Sequence, residues 1–407
     1  MNQLSTSLVA ESKPQQMAAG QSLLPKAPTL DWDNFESAES TALPSLYDMP
    51  NKAVTTSGRA ALFSALQQIR PAAGSAVLVP SYHCPTMVAP IFEAGLKPVY
   101  YPLTAEGLPD LARMDRTVAS ATQVMFVAHY FGLPLDLQQL LDWCQARHIT
   151  LVEDCAHSYF GMAGSRPVGQ WGHYATASIS KFFPVPEAGL LASRGQALSA
   201  LKLQAPTLLM ELKAAWDVVD YATKHGRLAG LRELLRLFRP AATLAPSAIL
   251  EQPHSSLDVS ATYLACDMGR IHQAPTRASA WLHRLLPTGR IVQRRQAIFR
   301  QLLEALSNAP GAHPLRDTLP QACAPYVFPL WVDGGARADQ VYAQMRSEGM
   351  PVFRWDRLWP GTPVDPTDTG SQWSRHLLQV LCHQDLRPKD IQVVAQRLTL
   401  ALAAVPT

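Results

Sequence analysis

Ile149-Thr150-Leu151-Val152-Glu153-Asp154-Cys155-Ala156-His157 is the stretch that decides the fold. The mostly apolar run from Ile149 to Val152 ends in a carboxylate. It reads as a buried strand that delivers Asp154 to the C-terminal edge of a sheet, where ligands of α/β proteins bind. Outward from it, strand-like and helix-like segments alternate. Ala76 to Pro80, Pro98 to Tyr101, Gln123 to Ala128 and Leu190 to Ala192 read as strands. Ser57 to Ile69, Pro85 to Ala94 (stopped by Gly95) and Leu135 to Arg147 read as helices. Such alternation predicts an α/β fold with a central, mostly parallel sheet between helices.

Further along, Leu198 to Leu237 is rich in Leu, Ala, Lys and Arg and reads as helical. Pro240 to Ser260 is rich in Pro and Ser and reads as a loop. Ala278 to Leu306 is again helical and basic. Tyr326 to Val332 is a strand, Ala338 to Glu348 a helix broken by Gly349-Met350-Pro351, and Lys389 to Ala403 an amphipathic helix. The expected division is a tail and arm over 1–50, a large domain over 51–310 with a helical and loop insertion at 198–260, and a small C-terminal α+β domain over 311–407. Met1 to Leu30 has no charged-then-apolar leader pattern, and its Ser, Gln, Ala and Pro content reads as a loose tail.

The 407 residues are 47% hydrophobic and 16% charged, with a net charge of +3. That balance describes a buried-core globular protein and is too mild to argue for nucleic acid. No apolar run has the length of a membrane span. Cysteines 84, 144, 155, 266, 323 and 382 form no CxxC pair and no metal spacing, so they read as reduced thiols of a cytoplasmic protein and no metal is expected.

The second informative stretch is Ser178-Ile179-Ser180-Lys181, followed by Phe182-Phe183-Pro184-Val185-Pro186-Glu187-Ala188-Gly189. A lysine in an apolar stretch is usually a snorkelling surface residue. Beside Asp154 it has another meaning. A lysine amine forms a Schiff base with an aldehyde cofactor, and a carboxylate on a pyridinium nitrogen keeps such a ring protonated as an electron sink. Ser178 is suited to hold a cofactor phosphate. In Thr55-Thr56-Ser57-Gly58-Arg59-Ala60-Ala61-Leu62, Gly58 opens a helix whose first amides suit a phosphate, although Ser-Gly is also ordinary capping. Tyr82 and His83, in Pro80-Ser81-Tyr82-His83-Cys84-Pro85-Thr86, are candidates to stack on a flat ring or are ordinary turn residues. His157 is a candidate to stack on that ring or to donate to its oxygen. A Cys155–His157 nucleophile pair is the less favoured reading of the same segment.

Taken in order, these segments resemble the DegT/DnrJ/EryC1/StrS aminotransferase family, from about Thr55 to the C-terminus, poorly between about 195 and 265. Ser57-Gly58-Arg59-Ala60-Ala61-Leu62 is similar to the family's Ser-Gly-Thr-x-Ala-Leu loop. His129-Tyr130-Phe131-Gly132-Leu133-Pro134-Leu135-Asp136 resembles its His-x-x-Gly-x-x-x-Asp segment, and Glu153-Asp154-Cys155-Ala156-His157 its Glu-Asp-Ala-Ala-Gln. Pro329-Leu330-Trp331 and Leu381-Cys382-His383-Gln384-Asp385-Leu386 look like its small-domain motifs. The resemblance implies fold type I, pyridoxal 5′-phosphate, a homodimer, an amino-acid donor such as glutamate or glutamine, and a keto acceptor, typically a nucleotide-linked keto sugar. It assigns the Schiff base to Lys181, the pyridine nitrogen to Asp154, the phosphate to Ser57, Gly58, Arg59 and Ser178, and the neighbourhood of the ring hydroxyl to His157. Relatives that are sugar dehydratases carry histidine where this chain has Lys181.

The chain departs from the family in three places. Gly-Glu-Gly-Gly is replaced by Pro186-Glu187-Ala188-Gly189, the aromatic stacking position falls on Cys84, and Asp267-Met268-Gly269-Arg270 lacks the asparagine of Asn-x-Arg. Three rivals remain open, one of them a plain α/β protein that uses no cofactor. Asp154-Cys155-Ala156-His157-Ser158 and Ser180-Lys181 are also similar to α-oxoamine synthases, and the departures suit a cofactor-binding scaffold without turnover.

Overall fold

A computed structural model describes residues 24–36, 43–115, 118, 122–231 and 258–405. Its first sheet has seven strands: β1 (Asn51–Thr55), β2 (Ala76–Pro80), β3 (Lys97–Tyr101), β4 (Thr122–Ala128), β5 (Thr150–Asp154), β8 (Tyr174–Ser178) and β9 (Gly189–Ser193). A two-stranded hairpin, β6 (Met162–Ala163) and β7 (Arg166–Pro167), interrupts the series. The order is β1-β9-β8-β5-β4-β2-β3. The run from β3 to β8 is parallel, and β9 lies antiparallel to both β8 and β1. Every residue of β2 is buried, because helices cover both sheet faces and no polar face is needed.

Helices α1 (Gly58–Ile69), α2 (Pro85–Glu93), α3 (Leu111–Met114) and α4 (Gln138–Ala146) connect these strands. Ser57 caps α1 by accepting from the Ala60 amide at 3.2 Å, and Pro85 opens α2 at a position where no amide is needed. α1 and α2 pack on one sheet face with Val77, Val79, Phe126 and Val152. A larger apolar cluster fills the other face and continues into the second sheet.

That second sheet is antiparallel, in the order β10-β11-β13-β12, from β10 (Ala312–Pro314), β11 (Val327–Val332), β12 (Val352–Phe353) and β13 (Leu377–Leu381). Between the sheets run α5 (Leu208–Lys224), α6 (Val259–Ala265), α7 (Arg277–Leu285) and α8 (Thr288–Leu306). The second sheet carries α9 (Gly335–Ser347), α10 (Thr369–His376) and α11 (Pro388–Ala404).

Three expectations need correction. The helical run expected over 198–237 is a helix from Leu208 to Lys224, starting after Pro206 with Thr207 as its cap; Leu231 is helical again, and the rest of the run lies outside the described residues. The loop expected over 240–260 falls mostly outside them, and its last residues are the Asp258 cap and first turn of α6. The helix expected over 278–306 is two helices, because Pro287 divides α7 from α8.

The loose tail is also corrected where it is described. Thr29 is wholly buried, and its amide donates to the Asp385 carboxylate at 3.1 Å. Asn34 donates to the same carboxylate at 2.9 Å, and the amides of Lys26 and Ala27 donate to the Tyr221 hydroxyl at 2.8 and 3.2 Å. Residues 24–36 are therefore a fixed arm, and residues 1–23 lie outside the described set. All six cysteines are free thiols. No helix among the described residues is long and apolar enough to cross a membrane.

Candidate active site

The parallel strands end at one edge, and that edge carries the chemistry. β5 ends at Asp154 and β8 at Ser178, and a short turn after β8 presents Lys181. The head of α1 approaches from the β1 side. Together Ser57, Gly58, Arg59, Asp154, Ser178 and Lys181 line a cavity of about 270 Å³. The cap takes the Ala60 amide and the Ser57 carbonyl takes that of Ala61. The Gly58 and Arg59 amides are left at the helix head, where a phosphate is favoured.

Gly189 makes this approach possible. A Cβ there would lie 2.1 Å from the Ser57 carbonyl oxygen, so only glycine lets β9 run against the loop before α1. The altered loop before it has its own partners. Glu187 forms an ion pair with Arg270 and accepts from the Thr276 amide at 3.0 Å. At the rim, Arg59 pairs with Asp267 at 2.9 Å, on the segment that lacks the expected asparagine.

Asp154 is buried and spends one oxygen on the Ala156 amide at 2.9 Å. Burial raises its pKa above the usual carboxylate range, while the Ala156 amide and the charges of Lys181 and His129 pull it back. A buried carboxylate with a free flank suits a cationic ring N–H, whose charge would offset the burial. These donors fit a phosphorylated pyridine aldehyde: amides and a serine for the phosphate, a carboxylate for the ring nitrogen, an amine for the aldehyde.

Three expected residues do not line this cavity. His83 is wholly buried just before α2, with Nδ1 2.8 Å from the Pro80 carbonyl and Nε2 accepting from the Trp359 amide at 3.1 Å. Its ring stacks on Tyr100 at 5.3 Å. Tyr82 is wholly buried among Tyr130, Trp355 and Trp373, and its hydroxyl accepts from Gln379 at 3.0 Å. Cys84, Thr86 and Met87 occupy the wall instead. His157 is clasped between Tyr326 and Trp355, with ring centroids 4.4 and 4.7 Å away, and Nδ1 accepts from the Phe131 amide at 3.3 Å. Burial, then the Lys181 charge, push its pKa well below 6.5, so it is a neutral packing ring. Cys155 turns to the Glu153 carbonyl at 3.9 Å, which removes the geometric basis of a Cys155–His157 pair.

Glu153 is a structural hub. Its carboxylate accepts from the amides of Gly169, Trp171 and Gly172 at 3.0, 2.7 and 2.6 Å, and from His129 at 2.8 Å. His129, Glu153 and Cys155 lie close enough to suggest a metal site, but the Glu153 oxygens are already taken up by these donors.

A second cavity of about 480 Å³ opens on the other side of the lysine turn. The arm (Lys26 to Leu30), α5 (Asp217 to Tyr221), Tyr326 and His383 wall it, and it shares Ser180, Lys181 and Pro186 with the first. Lys181 Nζ stands 5.0 Å from the centroid of the Tyr326 ring. Gly132, in the left-handed region at φ 81°, lets the segment before β11 close in, since a Cβ there would sit 2.4 Å from the Tyr326 amide nitrogen. Sequence reading missed Tyr326, which looked like the first residue of a strand, and the arm, which shows no periodicity.

The model of the DegT/DnrJ/EryC1/StrS aminotransferase family matches residues 34–203. GDP-perosamine synthase of Vibrio cholerae is 24% identical over 194 residues, covering 46% of this chain and 52% of that protein. L-glutamine:2-deoxy-scyllo-inosose aminotransferase of Micromonospora echinospora is 24% identical over 253 residues, or 60% of each. The chain thus spans between about half and three fifths of the length of these relatives. Among solved structures, Streptococcus pneumoniae Spr1654, assigned as a sugar aminotransferase and solved in its PLP form, superposes with a TM-score of 0.63 at 14% identity, over 94% of this chain and all of that one. The fold is that of fold-type-I PLP aminotransferases.

Proposed function

We infer that this chain, which carries the DegT/DnrJ/EryC1/StrS family pattern over residues 34–203, binds pyridoxal 5′-phosphate in the smaller cavity and moves an amino group from an amino acid to a keto sugar or a closely related cyclic ketone. One observation carries the reading: Asp154, Lys181, Ser178 and the head of α1 line a single cavity. When bound, the cofactor supplies an aldehyde for the amine and an electron-withdrawing pyridinium. Asp154 would face the ring nitrogen and hold its proton. The Gly58 and Arg59 amides and the Ser178 hydroxyl would hold the phosphate. Lys181 would hold the cofactor through its aldehyde, and its amine, once released, would carry a proton to and from the donor's α-carbon.

The larger cavity receives the donor and acceptor in turn, because both must reach the same amine. Its Asp217, Asp220, Tyr221 and Lys26 offer hydrogen-bonding groups to a polyhydroxylated ring. One relative is named for the GDP-perosamine it makes, and another for L-glutamine and 2-deoxy-scyllo-inosose. The proposed class includes a ring such as that inosose and the nucleotide-linked keto sugar expected from the sequence. An α-oxoamine synthase is less well supported, since the histidine that carried that likeness packs away from the cavity. A cytoplasmic homodimer is part of the proposal, and light scattering on the purified protein checks the dimer.

The test is the absorbance of purified protein with pyridoxal phosphate, wild type against Lys181→Ala, before and after glutamate or glutamine. A band near the visible edge in wild type alone, bleached by a donor, is the expected result. A band that no amino acid bleaches would favour the non-catalytic scaffold. No band at all would end the cofactor reading.

A further inference from the structure

One guanidinium stands behind the lysine turn. Arg295, on α8, is 0% exposed, and no carboxylate among the described residues lies within ion-pair distance of it. Its Nη2 donates to the Lys181 carbonyl at 2.6 Å, Nη1 to the Pro325 carbonyl at 2.9 Å, and Nε to the Gln384 side chain at 2.9 Å. Its plane lies over the Phe182 ring, 4.4 Å from the centroid. Gln384 completes the set by donating to the Phe182 carbonyl at 2.7 Å.

A buried charge without a counter-ion is costly, and an apolar side chain of the same volume would stabilise the core at least as well. The bonds show what the charge achieves. One rigid plane holds the backbone of the lysine and the backbone next to Tyr326, the ring beneath the lysine ammonium. Tyr326 is fixed from its other side, where its amide donates to the Phe131 carbonyl at 2.8 Å. The amine and the ring it rests on therefore share one anchor.

We propose that Arg295, with Gln384 as its second arm, is the positioning residue for the Lys181 amine. This rests on the reading of Lys181 as the reactive amine. Arg295 touches neither cavity. It acts through the lysine turn and through Tyr326, and so joins the strand-edge chemistry to the second sheet.

The experiment compares full-length wild type, Arg295→Lys, Arg295→Met and Gln384→Leu in three readouts. The first is the rate at which glutamate bleaches the band of the protein loaded with pyridoxal phosphate, resolved into its limiting rate and half-saturating concentration. The second needs no cofactor: acetylation of Lys181 by acetic anhydride at one pH, read by peptide mass spectrometry against exposed Lys97. The third is the melting curve. In Arg295→Met the limiting rate is expected to fall about ten- to a hundredfold with little change in half-saturation. Lys181 should acetylate faster once it is released from the Tyr326 ring, and Arg295→Lys should recover part of both effects.

A folded Arg295→Met with wild-type rate and wild-type acetylation overturns the proposal. Should Arg295→Met fail to fold, Gln384→Leu and Arg295→Lys decide, since unchanged values in both overturn it equally. Should wild type give no band, the cofactor reading fails, while the acetylation comparison still decides the role of Arg295.

Discussion

The two cavities on either side of Lys181 are built by opposite means. The smaller is assembled at the ends of parallel strands, each fixed by sheet hydrogen bonds and buried on both faces. The larger is assembled from an arm, an added helix and a loop of the second sheet, held together by polar bonds between residues far apart in sequence. The Tyr221 hydroxyl and the Asp385 carboxylate secure most of its arm. Chemistry is thus expected to depend on the first and choice of acceptor on the second.

The sharpest way to break that division is Lys181→Ala, which should abolish the absorbance band and all amino transfer while the melting curve stays near that of wild type. Asp154→Asn comes next. An amide cannot stabilise the ring's charge, and the limiting rate of the donor half-reaction should fall about a hundredfold or more, by stopped-flow absorbance. If instead only half-saturation rises, Asp154 belongs to binding and the division between the cavities is wrong.

Acid should act on both regions through buried histidines. Burial pushes His83, His283 and His383 down to about 4, and His157 well below 6.5. The unfolded chain takes up protons below about 6.5 that the folded chain refuses, so stability is complete above that pH and is lost as pH falls from about 6.5 toward 4. Melting temperatures measured across this window should drop steadily. A flat profile would mean that these rings are less buried than described.

Tyr221→Phe is the mildest probe. It removes the acceptor of two arm amides and should cost about 1 to 2 kcal/mol in denaturant unfolding. It should also raise half-saturation for the acceptor while leaving the cofactor band alone. A changed band would show that the two cavities are not separable.

The same contrast explains what was legible in the sequence. Strand β2 has the expected bounds, because a strand buried on both faces is an unbroken apolar run, and β3 and β4 differ from expectation by one residue. β8 escaped notice because Tyr174-Ala-Thr-Ala-Ser178 is small and mixed, and it is a strand only because β5 and β9 flank it. The meeting of Ser57, Gly58, Arg59, Asp154, Ser178 and Lys181 at one cavity was legible because strand ends and helix starts leave local marks, and their roles there are part of the proposal. Tyr82, His83 and His157 do not line that cavity, since neighbours of a strand end in sequence need not share its pocket in space. Arg295 left no mark, being one of several arginines in a basic helix.

Ser180, Lys181 and Pro186 belong to both cavities, as a party wall belongs to two rooms. Occupancy on one side is then felt on the other as a coupling free energy, and linkage makes it reciprocal. A ligand of the larger cavity that weakens cofactor binding by some factor must itself be weakened by the cofactor to the same extent. Titrating each in the presence of the other would measure that factor twice, and two unequal values would show that more than these two sites are in play.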